Sequence, residues 1–316
     1  MLTTRTTLKF LVLGLTVWAS ASLCEARTLE VGEGKAYKLP SEAIKDAKDG
    51  DKVLIYKDKE DYFDCAFVNA PNVTIEGAAP DAAVAMTDKA CGGKGLLVIS
   101  GANVTVRNLT LTRVRVPDGN GAGIRAEGNG LTVDKVKFIN NQEGILAGVK
   151  GGTITIKDSE FVKNGNCANS GGCAHAIYVG EVDLLHVEHS KFSNTQQGHH
   201  IKSRALRTEV INCDIRDGAD GTASYLVEIP NGGAVVVRDT IMEKGPKAEN
   251  HSAAISIGAE GVTHPTREIT IENNTFKNAG DYKTNFVRNL TATEATLKNN
   301  KLSGEVKPLD GDGSVN

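Results

Sequence analysis

A short motif returns along most of the chain and constrains its fold more than any other feature. Each copy begins with an aliphatic residue, usually carries Asn or Asp at its third position, and ends on a large apolar residue. The copies begin at Val106, Val133, Ile156, Val187, Val210, Val237, Ile271 and Leu297. Because their starts lie 23 to 34 residues apart, the motif predicts a solenoid, in which each repeat packs against its neighbours.

The composition of the repeats favours stacked β-strands over the strand-and-helix units of leucine-rich repeats. The chain contains 34 glycines, the repeats are rich in β-branched residues, and a Leu-x-x-Leu-x-Leu framework is absent. The third positions of the motif are Asn108, Lys135, Asp158, His189, Asn212, Asp239, Asn273 and Asn299. Since Asn and Asp tolerate the left-handed backbone of a tight bend, we predict an all-β parallel β-helix with these residues stacked at one corner.

The N-terminal residues 1–26 have the pattern of a secretory signal peptide. Basic residues at positions 5 and 9 precede an apolar run from Phe10 to Ala19. This run is about half as long as a membrane-spanning helix requires, so we expect export without membrane insertion. The protein is therefore predicted to be secreted or periplasmic, and to be a monomer.

The rest of the chain is predicted to form one domain followed by a tail. Residues 27–302 hold the repeats and form the β-helix domain. Residues 41–48 read as a short amphipathic helix with Ser41 as its N-cap, and this helix would cover the open end of the first coil. Residues 303–316 are polar and rich in Gly and Asp, so we predict a loose C-terminal tail.

Composition excludes two other classes of protein. With 40% hydrophobic and 24% charged residues, the chain can build a core and is not intrinsically disordered. Lys and Arg total 36 against 39 Asp and Glu, and no basic run is long enough to follow a phosphate backbone. A nucleic-acid partner is therefore not expected.

Five cysteines follow the signal peptide, and an oxidising compartment favours disulfides between close pairs. We predict the disulfides Cys65–Cys91 and Cys167–Cys173, with Cys213 left as a buried free thiol. The alternative for the second pair is a zinc site that also uses His175, but the chain has no second C-x-x-C-like pair to complete it.

A second aliphatic strand in each coil defines a candidate functional face. Its inward residues are Ile124, Ile145, Ile177, Ile201, Val227, Ile255 and Val287. Because side chains alternate between the two faces of a strand, the next residues form an outward column: Arg125, Leu146, Tyr178, Lys202, Glu228, Ser256 and Arg288. Alternation also places His200 outward, near His175, Arg204 and Tyr225. We expect the loops 164–174 and 214–224 to wall this face.

The repeats, together with the segments 198–205 and 225–233, resemble the right-handed parallel β-helix proteins of the pectate-lyase-like superfamily, and in particular uncharacterised bacterial members. The resemblance covers almost all of residues 27–302. It implies a right-handed β-helix, activity on carbohydrate, and a cleft along one sheet, which maps onto the second strand of each coil. The chain lacks the Asp-Asp dipeptide and the Gly-His-Gly segment of the polygalacturonase-like hydrolases.

The leading functional hypothesis is cleavage of an acidic polysaccharide or oligosaccharide by β-elimination. This reaction needs a cation on the uronate carboxylate, a base for the neighbouring proton and an acid for the leaving oxygen. Arg204 or Arg125 suits the first role, Lys202 or His200 the second and Tyr178 the third; Glu228 beside Lys202 would keep the lysine protonated. The candidate substrate-binding residues are Arg125, His175, His199, Tyr225 and Arg288.

Three alternatives remain open at this stage. A glycoside hydrolase would pair Glu228 with Asp217 or Asp220. A non-catalytic carbohydrate-binding or surface solenoid would carry Lys202 and Glu228 as an ordinary cross-strand ion pair. Asp217 and Asp220 are also weak candidates for a calcium site, and no other cofactor is expected.

Overall fold

The computed structural model describes residue 2, residues 26–167 and residues 172–316. The predicted signal peptide lies outside the described residues, apart from Leu2 and Ala26. In the described part, three parallel sheets wind into a solenoid of about ten turns. The prediction of a right-handed parallel β-helix with a short N-terminal capping helix is confirmed.

Most coils contribute one strand to each of three sheets, and every strand pairs in parallel with the equivalent strands of adjacent coils. The helix α1 spans Pro40–Asp46. Sheet A contains β1 (Thr28–Val31), β2 (Lys52–Ile55), β4 (Thr74–Gly77), β7 (Val104–Arg107), β10 (Leu131–Asp134), β13 (Thr153–Lys157), β16 (Leu184–Glu188), β19 (Arg207–Ile211), β22 (Ala234–Arg238), β25 (Ile269–Glu272), β28 (Ala295–Lys298) and β31 (Gly313–Val315). Sheet B contains β5 (Ala85–Thr87), β8 (Thr110–Thr112), β11 (Lys137–Ile139), β14 (Glu160–Val162), β17 (Lys191–Ser193), β20 (Asp214–Arg216), β23 (Ile241–Lys244), β26 (Thr275–Asn278) and β29 (Lys301–Ser303). Sheet C contains β3 (Ala66–Val68), β6 (Gly95–Ile99), β9 (Ala122–Ala126), β12 (Glu143–Ala147), β15 (Ile177–Val179), β18 (His199–Ser203), β21 (Tyr225–Ile229), β24 (Ala253–Ile257), β27 (Thr284–Asn289) and β30 (Val306–Asp310).

The corner between sheets A and B is built as the repeat predicts. All eight third-position residues have φ between 48° and 57°, whether they are Asn, Asp, Lys or His. The residue that follows each of them faces the interior, and in several coils its side chain accepts a backbone N–H from the preceding coil. Thus Val136 N–H donates to Ser159 Oγ at 3.1 Å, and Thr240 N–H donates to Asn274 Oδ1 at 3.0 Å. These bonds satisfy buried backbone groups that the bend removes from the sheet ladders.

The core consists of side chains stacked from coil to coil. The seven aliphatic residues predicted to point inward from sheet C are fully buried. Beneath sheet B, the rings of Phe138, Phe161 and Phe192 stack with centroids 4.6 Å apart at each step. This spacing matches the distance between adjacent strands, so identical side chains at one repeat position pack face to face.

Helix α1 packs against β1, β2 and β3, and so covers the first coil. Its start differs from the prediction, because Pro40 occupies the first helical turn and Leu39 is the N-cap. Glu42, instead of Ser41, satisfies free backbone donors here: its carboxylate accepts the N–H groups of Lys38 and Leu39 at 3.0 and 3.1 Å. Ser41 donates its own backbone N–H to Asp64.

The C-terminal residues do not form the loose tail that their polarity predicts. Strands β30 and β31 pair with β27 and β28 and extend sheets C and A by one more coil. Val306 and Leu309 are half-buried against the core. Both residues lie on β30, whereas β31 is exposed, so the C-terminal segment is held by the packing of β30 and by the pairing of both strands with the preceding coil.

Candidate functional site

The outward column of sheet C lies where side-chain alternation predicts it. Strand pairing aligns Leu146 with Tyr178, Tyr178 with Lys202, and Lys202 with Glu228. The column continues through Ser256 to Arg288, two coils beyond Glu228. Adjacent residues of the column therefore lie about one strand spacing apart, ~4.8 Å.

The prediction that His200 points outward is wrong. Its side chain is fully buried, because two successive residues face inward where each coil turns into sheet C. At the same repeat position, a Cβ on Gly123 would lie 2.8 Å from Phe138, and one on Gly144 would lie 3.0 Å from Phe161. His200 occupies this interior position in its own coil, where its ring packs edge-on against Phe192.

His200 is instead held in a polar cluster inside the helix. Its Nε2 lies 2.9 Å from Asp217 Oδ1, and its Nδ1 lies 2.7 Å from Thr195 Oγ1. Asp217 is also fully buried and accepts the backbone N–H of Gly245 at 2.9 Å. A histidine in this position cannot contact a polysaccharide, so His200 is excluded as the base of the proposed reaction.

The buried position of Asp217 also bears on two of the alternative hypotheses. Asp220 lies at the surface, where its carboxylate pairs with Lys247 at 2.7 Å. Glu228 faces the outer side of sheet C, whereas Asp217 is buried in the interior, so these two carboxylates lie on opposite sides of the sheet. Among the residues described, no group of three or more His, Cys, Asp or Glu side chains is arranged to hold a metal ion.

A second outward column, two residues before the inward aliphatic residues, completes the site. Strand β12 begins with Glu143 in this column, and His175, His199 and Tyr225 follow at the same position in the next coils. The His175 and His199 rings stack with centroids 4.8 Å apart, and the Tyr225 ring lies 5.3 Å from His199. These three predicted substrate-binding residues therefore form one aromatic ladder beside Tyr178 and Lys202.

Hydrogen bonds fix the protonation pattern of the two stacked histidines. The Nδ1 atom of His175 accepts the backbone N–H of His199 at 3.0 Å, and Nδ1 of His199 accepts that of Tyr225 at 3.2 Å. Burial and the nearby cations lower the pKa of His175 well below its usual range, so this ring is neutral. In His199 the proton is on Nε2, which lies 2.9 Å from Glu228 Oε2.

Glu228 is an ionised carboxylate within the floor of the site. Burial alone would raise its pKa, but the close contacts with His199 and with the charge of Lys202 lower the pKa to about 2. Its Oε2 lies 3.0 Å from Lys202 Nζ. The predicted Lys202–Glu228 contact is thus confirmed, and Glu228 links the ammonium group to the histidine ladder.

Lys202 lies between two carboxylates. Its Nζ is 2.6 Å from Glu260 Oε1 and 3.0 Å from Glu228 Oε2. Burial alone would lower the pKa of Lys202, but the two carboxylates outweigh this effect and raise it. The ammonium group is therefore protonated at neutral pH, as its position beside Glu228 predicts.

Arg204 connects Tyr178 to the same charged group. Its Nε donates to Tyr178 Oη at 2.9 Å, and its Nη2 lies 2.5 Å from Glu260 Oε2. Asn231 accepts a further hydrogen bond from Nη1. Contacts with Tyr178, Glu260 and Asn231 thus hold the guanidinium group in place.

A cleft of about 450 Å³ on sheet C is lined by five of the predicted side chains, those of His175, Tyr178, His199, Lys202 and Arg204. Gly172 and Cys173 contribute to its wall, as predicted for loop 164–174, whereas loop 214–224 supplies only Ser224. Glu249, from a loop not predicted to take part, also lines the cleft. The site is open at the surface, so it can accommodate part of a chain longer than the cleft itself.

Both predicted disulfides are present. Cys65 and Cys91 are bonded, and so are Cys167 and Cys173, while Cys213 is free and buried. The zinc alternative for Cys167 and Cys173 is therefore wrong, because their sulfur atoms are bonded to each other. The second disulfide closes the loop whose residue Cys173 lines the cleft.

The remaining predicted residues lie further along sheet C. Arg125 is three coils from Lys202 on the N-terminal side, and Arg288 is three coils away on the C-terminal side. Arg288 pairs loosely with Asp310, with 3.5 Å between Nε and Oδ2. Both are outside the cleft, in positions where they can contact only a long ligand.

Besides Glu249, two acidic residues of the site were not predicted. Glu143 is buried, and desolvation raises its pKa well above the usual range. Extending the strand alternation two residues before Ile145 would have found it. Glu260 is on the turn after β24 and is 56 residues from Arg204 in sequence, so no repeat position indicates it.

The solved structures that share this fold include an alginate lyase and a pectin methylesterase. The alginate lyase from Paenibacillus sp. str. FPU-7 has a TM-score of 0.60 at 16% identity, with 91% of this chain and 99% of that chain covered. The pectin methylesterase from Aspergillus niger has a TM-score of 0.52 at 15% identity, with 81% and 88% covered. The chain thus has the parallel β-helix fold expected from its resemblance to the pectate-lyase-like superfamily.

No family model and no curated protein sequence matches the chain. The described residues include no helix with the length and apolarity that crossing a membrane requires.

Proposed function

We propose that this protein is an exported carbohydrate-active enzyme that cleaves an acidic polysaccharide by β-elimination. The observation that carries the proposal is the grouping of Tyr178, Lys202 and Arg204 on the floor of one cleft. A phenol oxygen, an ammonium group and a guanidinium group are the three functions that elimination beside a uronate carboxylate requires. The fold shared with an alginate lyase and the two disulfides support the same assignment.

The geometry favours Tyr178 as the base and Lys202 as the acid, which exchanges the roles expected from the sequence. Lys202 is protonated between Glu228 and Glu260, so it can donate a proton but cannot accept one. Tyr178 Oη accepts a hydrogen bond from Arg204, and the guanidinium charge stabilises the phenolate that forms when the phenol gives its proton to water and that then acts as the base. After each turnover the phenol again gives a proton to water, and Lys202 takes one up from water.

In the proposed reaction, the base removes the proton from the ring carbon that bears the uronate carboxyl group. The electron pair of that C–H bond forms a double bond to the neighbouring ring carbon, and the bond from this neighbour to the glycosidic oxygen breaks. Lys202 gives its proton to the leaving oxygen. Arg204 and Lys202 neutralise the carboxylate, whose negative charge grows as the proton leaves. The products are an unsaturated sugar and a new reducing end.

Product analysis tests this proposal against the other reactions of β-helix enzymes. The purified protein would be incubated with alginate, polygalacturonate and methyl-esterified pectin. Elimination produces near-ultraviolet absorbance together with new reducing ends. Reducing ends without absorbance would indicate hydrolysis, and methanol release without chain cleavage would indicate an esterase. Either of these outcomes would contradict the proposal.

A further inference from the structure

Glu260 contacts both cations that the proposed function assigns to the substrate. One carboxylate oxygen, Oε1, lies 2.6 Å from Lys202 Nζ, and the other, Oε2, lies 2.5 Å from Arg204 Nη2. Each oxygen therefore meets a different cation. A carboxylate that spans two cations in this way shows how a carboxylate from a ligand can bind at the same place.

The contact of Glu260 can be exchanged more easily than that of Glu228. The Glu260 side chain is 42% exposed, whereas that of Glu228 is 5% exposed. Ion pairs that water reaches contribute little net stability, because hydration compensates the separated charges. A ligand carboxylate can thus replace Glu260 at low cost, while Glu228 stays paired with Lys202 and His199.

The backbone that carries Glu260 is fixed independently of its side chain. The backbone N–H of Glu260 donates to Pro230 O at 2.9 Å, and that of Gly258 donates to Ile229 O at 2.8 Å. Gly258 and Gly261 have φ of 84° and 95°, values that the tight turn requires and that glycine adopts without strain. The side chain can therefore rotate away from the cations without displacement of the turn.

From this geometry we infer that Glu260 is a specificity residue that occupies the substrate-carboxylate position of the empty site. The identity of the ligand as a uronate rests on the proposed function. A sugar with a free carboxylate replaces one negative charge by another and keeps both cations paired. A neutral sugar or a methyl ester would have to separate Glu260 from two cations without replacing its charge, so the site selects against it.

The charges of the group support this exchange. Lys202 and Arg204 are balanced by Glu228 and Glu260 in the empty site, and they remain balanced when a uronate takes the place of Glu260. Replacing Glu260 by Gln removes the competing charge and leaves one positive charge in excess. The variant should therefore bind acidic sugars more tightly than the wild-type protein does.

Calorimetric titration of the full chain tests the inference, with galacturonate, mannuronate and guluronate hexasaccharides and a methyl-esterified galacturonate hexasaccharide as ligands. We expect the wild-type protein to bind at least one acid and not the ester. Glu260→Gln should strengthen binding of that acid by about tenfold, and the gain should diminish with added salt. The matched control is Glu268→Gln, because Glu268 has the same 42% exposed side chain and pairs with Arg207 at 2.7 Å, away from sheet C.

Two unfavourable outcomes are distinguishable. If the wild-type protein binds an acid and Glu260→Gln binds it equally or more weakly, Glu260 only positions the cations, and this inference is overturned while the proposed function stands. If neither form binds any of the acids and none is cleaved, the proposed function fails and the inference fails with it.

Discussion

Two adjacent histidines show how single residues acquire different roles in this protein. His199 faces the cleft and contacts Glu228, whereas His200 faces the interior and contacts Asp217. One residue of separation places a side chain on opposite sides of a β-strand. The chemistry of a residue here follows from the direction of its side chain more than from its type.

Lys202 is the residue whose loss should affect turnover most specifically. We expect Lys202→Ala to lower kcat by roughly 10²–10⁴, the range for loss of a general acid, because Lys202 is the group assigned to protonate the leaving oxygen. Rates on the polysaccharide identified by product analysis would measure this. Lys191→Ala is the control, since Lys191 is aligned with an acidic residue, Asp214, on the adjacent strand but lies on sheet B. Unchanged turnover in Lys202→Ala would refute the assigned role.

Lys244 should make the stability of the protein depend on pH. Its side chain is fully buried and donates to Ser224 O at 2.7 Å, and burial lowers its pKa to about 8 despite the nearby charge of Asp217. Because the unfolded chain keeps the usual lysine pKa of about 10.4, it binds the proton more tightly than the folded protein does. The contribution of Lys244 to the free energy of unfolding therefore rises from pH 8 to about pH 10, by on the order of 3 kcal/mol.

Urea denaturation across this pH range would test the prediction. Lys244→Met should remove the rise in stability, whereas Lys191→Met, at an exposed lysine, should retain it. His200 and Tyr282 also lie near this part of the interior, and both are unchanged in the two variants. If the two variants show the same pH dependence as the wild-type protein, Lys244 does not titrate in this range.

At the scale of elements, the regular strands could be predicted and the corners only in part. Ile201 and Lys202 follow strict alternation, so their directions were correct. His200 lies where two successive residues turn inward, and alternation fails there because the chain is entering a bend. Glycines such as Gly123 indicate this bend in the sequence, because the residue points into the core and a side chain there would collide with Phe138.

Elements outside the repeat were predicted least well. Glu260 reaches Lys202 and Arg204 from a turn that has no fixed position in the repeat. The C-terminal strands β30 and β31 have few apolar residues, and composition alone therefore suggested a tail. Both are stabilised by the coil before them, and a pattern read within a single segment does not detect such a contribution.

Removal of residues 303–316 should destabilise the protein, because β30 and β31 cover the last coil. Val306 and Leu309 are removed in such a variant, and the core of the preceding coil loses the apolar contacts that they make, at a cost of about 2 kcal/mol or more. The midpoint of thermal denaturation should fall, and the exposed strand edges should promote aggregation. The double substitution Val306→Ser and Leu309→Ser in the full chain should produce most of the same loss. A truncated protein with unchanged stability would show that this coil contributes nothing.

At the scale of the whole molecule, the outward column of sheet C has cations at regular intervals. Arg125, Lys202 and Arg288 are separated by three coils each, or roughly 14 Å. Anionic polymers carry their charges at regular intervals as well. A polysaccharide aligned with the helix axis would therefore meet a cation on both sides of the cleft.

Substitution of Arg288 should accordingly weaken the binding of long substrates and leave the binding of short ones nearly unchanged. We expect Arg288→Ala to raise KM a few-fold for the polymer, the size of effect that an exposed charge contact produces, with little change for a trisaccharide. Kinetics on both substrates would measure the difference. Arg238→Ala is the control, because Arg238 is comparably exposed but lies on sheet A. Equal effects on the polymer and the trisaccharide would rule out a distant contact.

The coil-by-coil construction separates two ways in which such a protein can diverge. Loops such as residues 245–252, which contribute Glu249 to the cleft, leave the sheets without entering their ladders. A change in the length of such a loop alters the walls of the cleft and not the register of its floor. Insertion or loss of a whole coil between β21 and β27 would instead move Arg288 by one strand spacing and leave Tyr178 and Lys202 in place. Related proteins could thus differ in which sugar residue of a bound polysaccharide contacts Arg288, in steps of one strand spacing. Tyr178 and Lys202, the reacting groups, would stay the same.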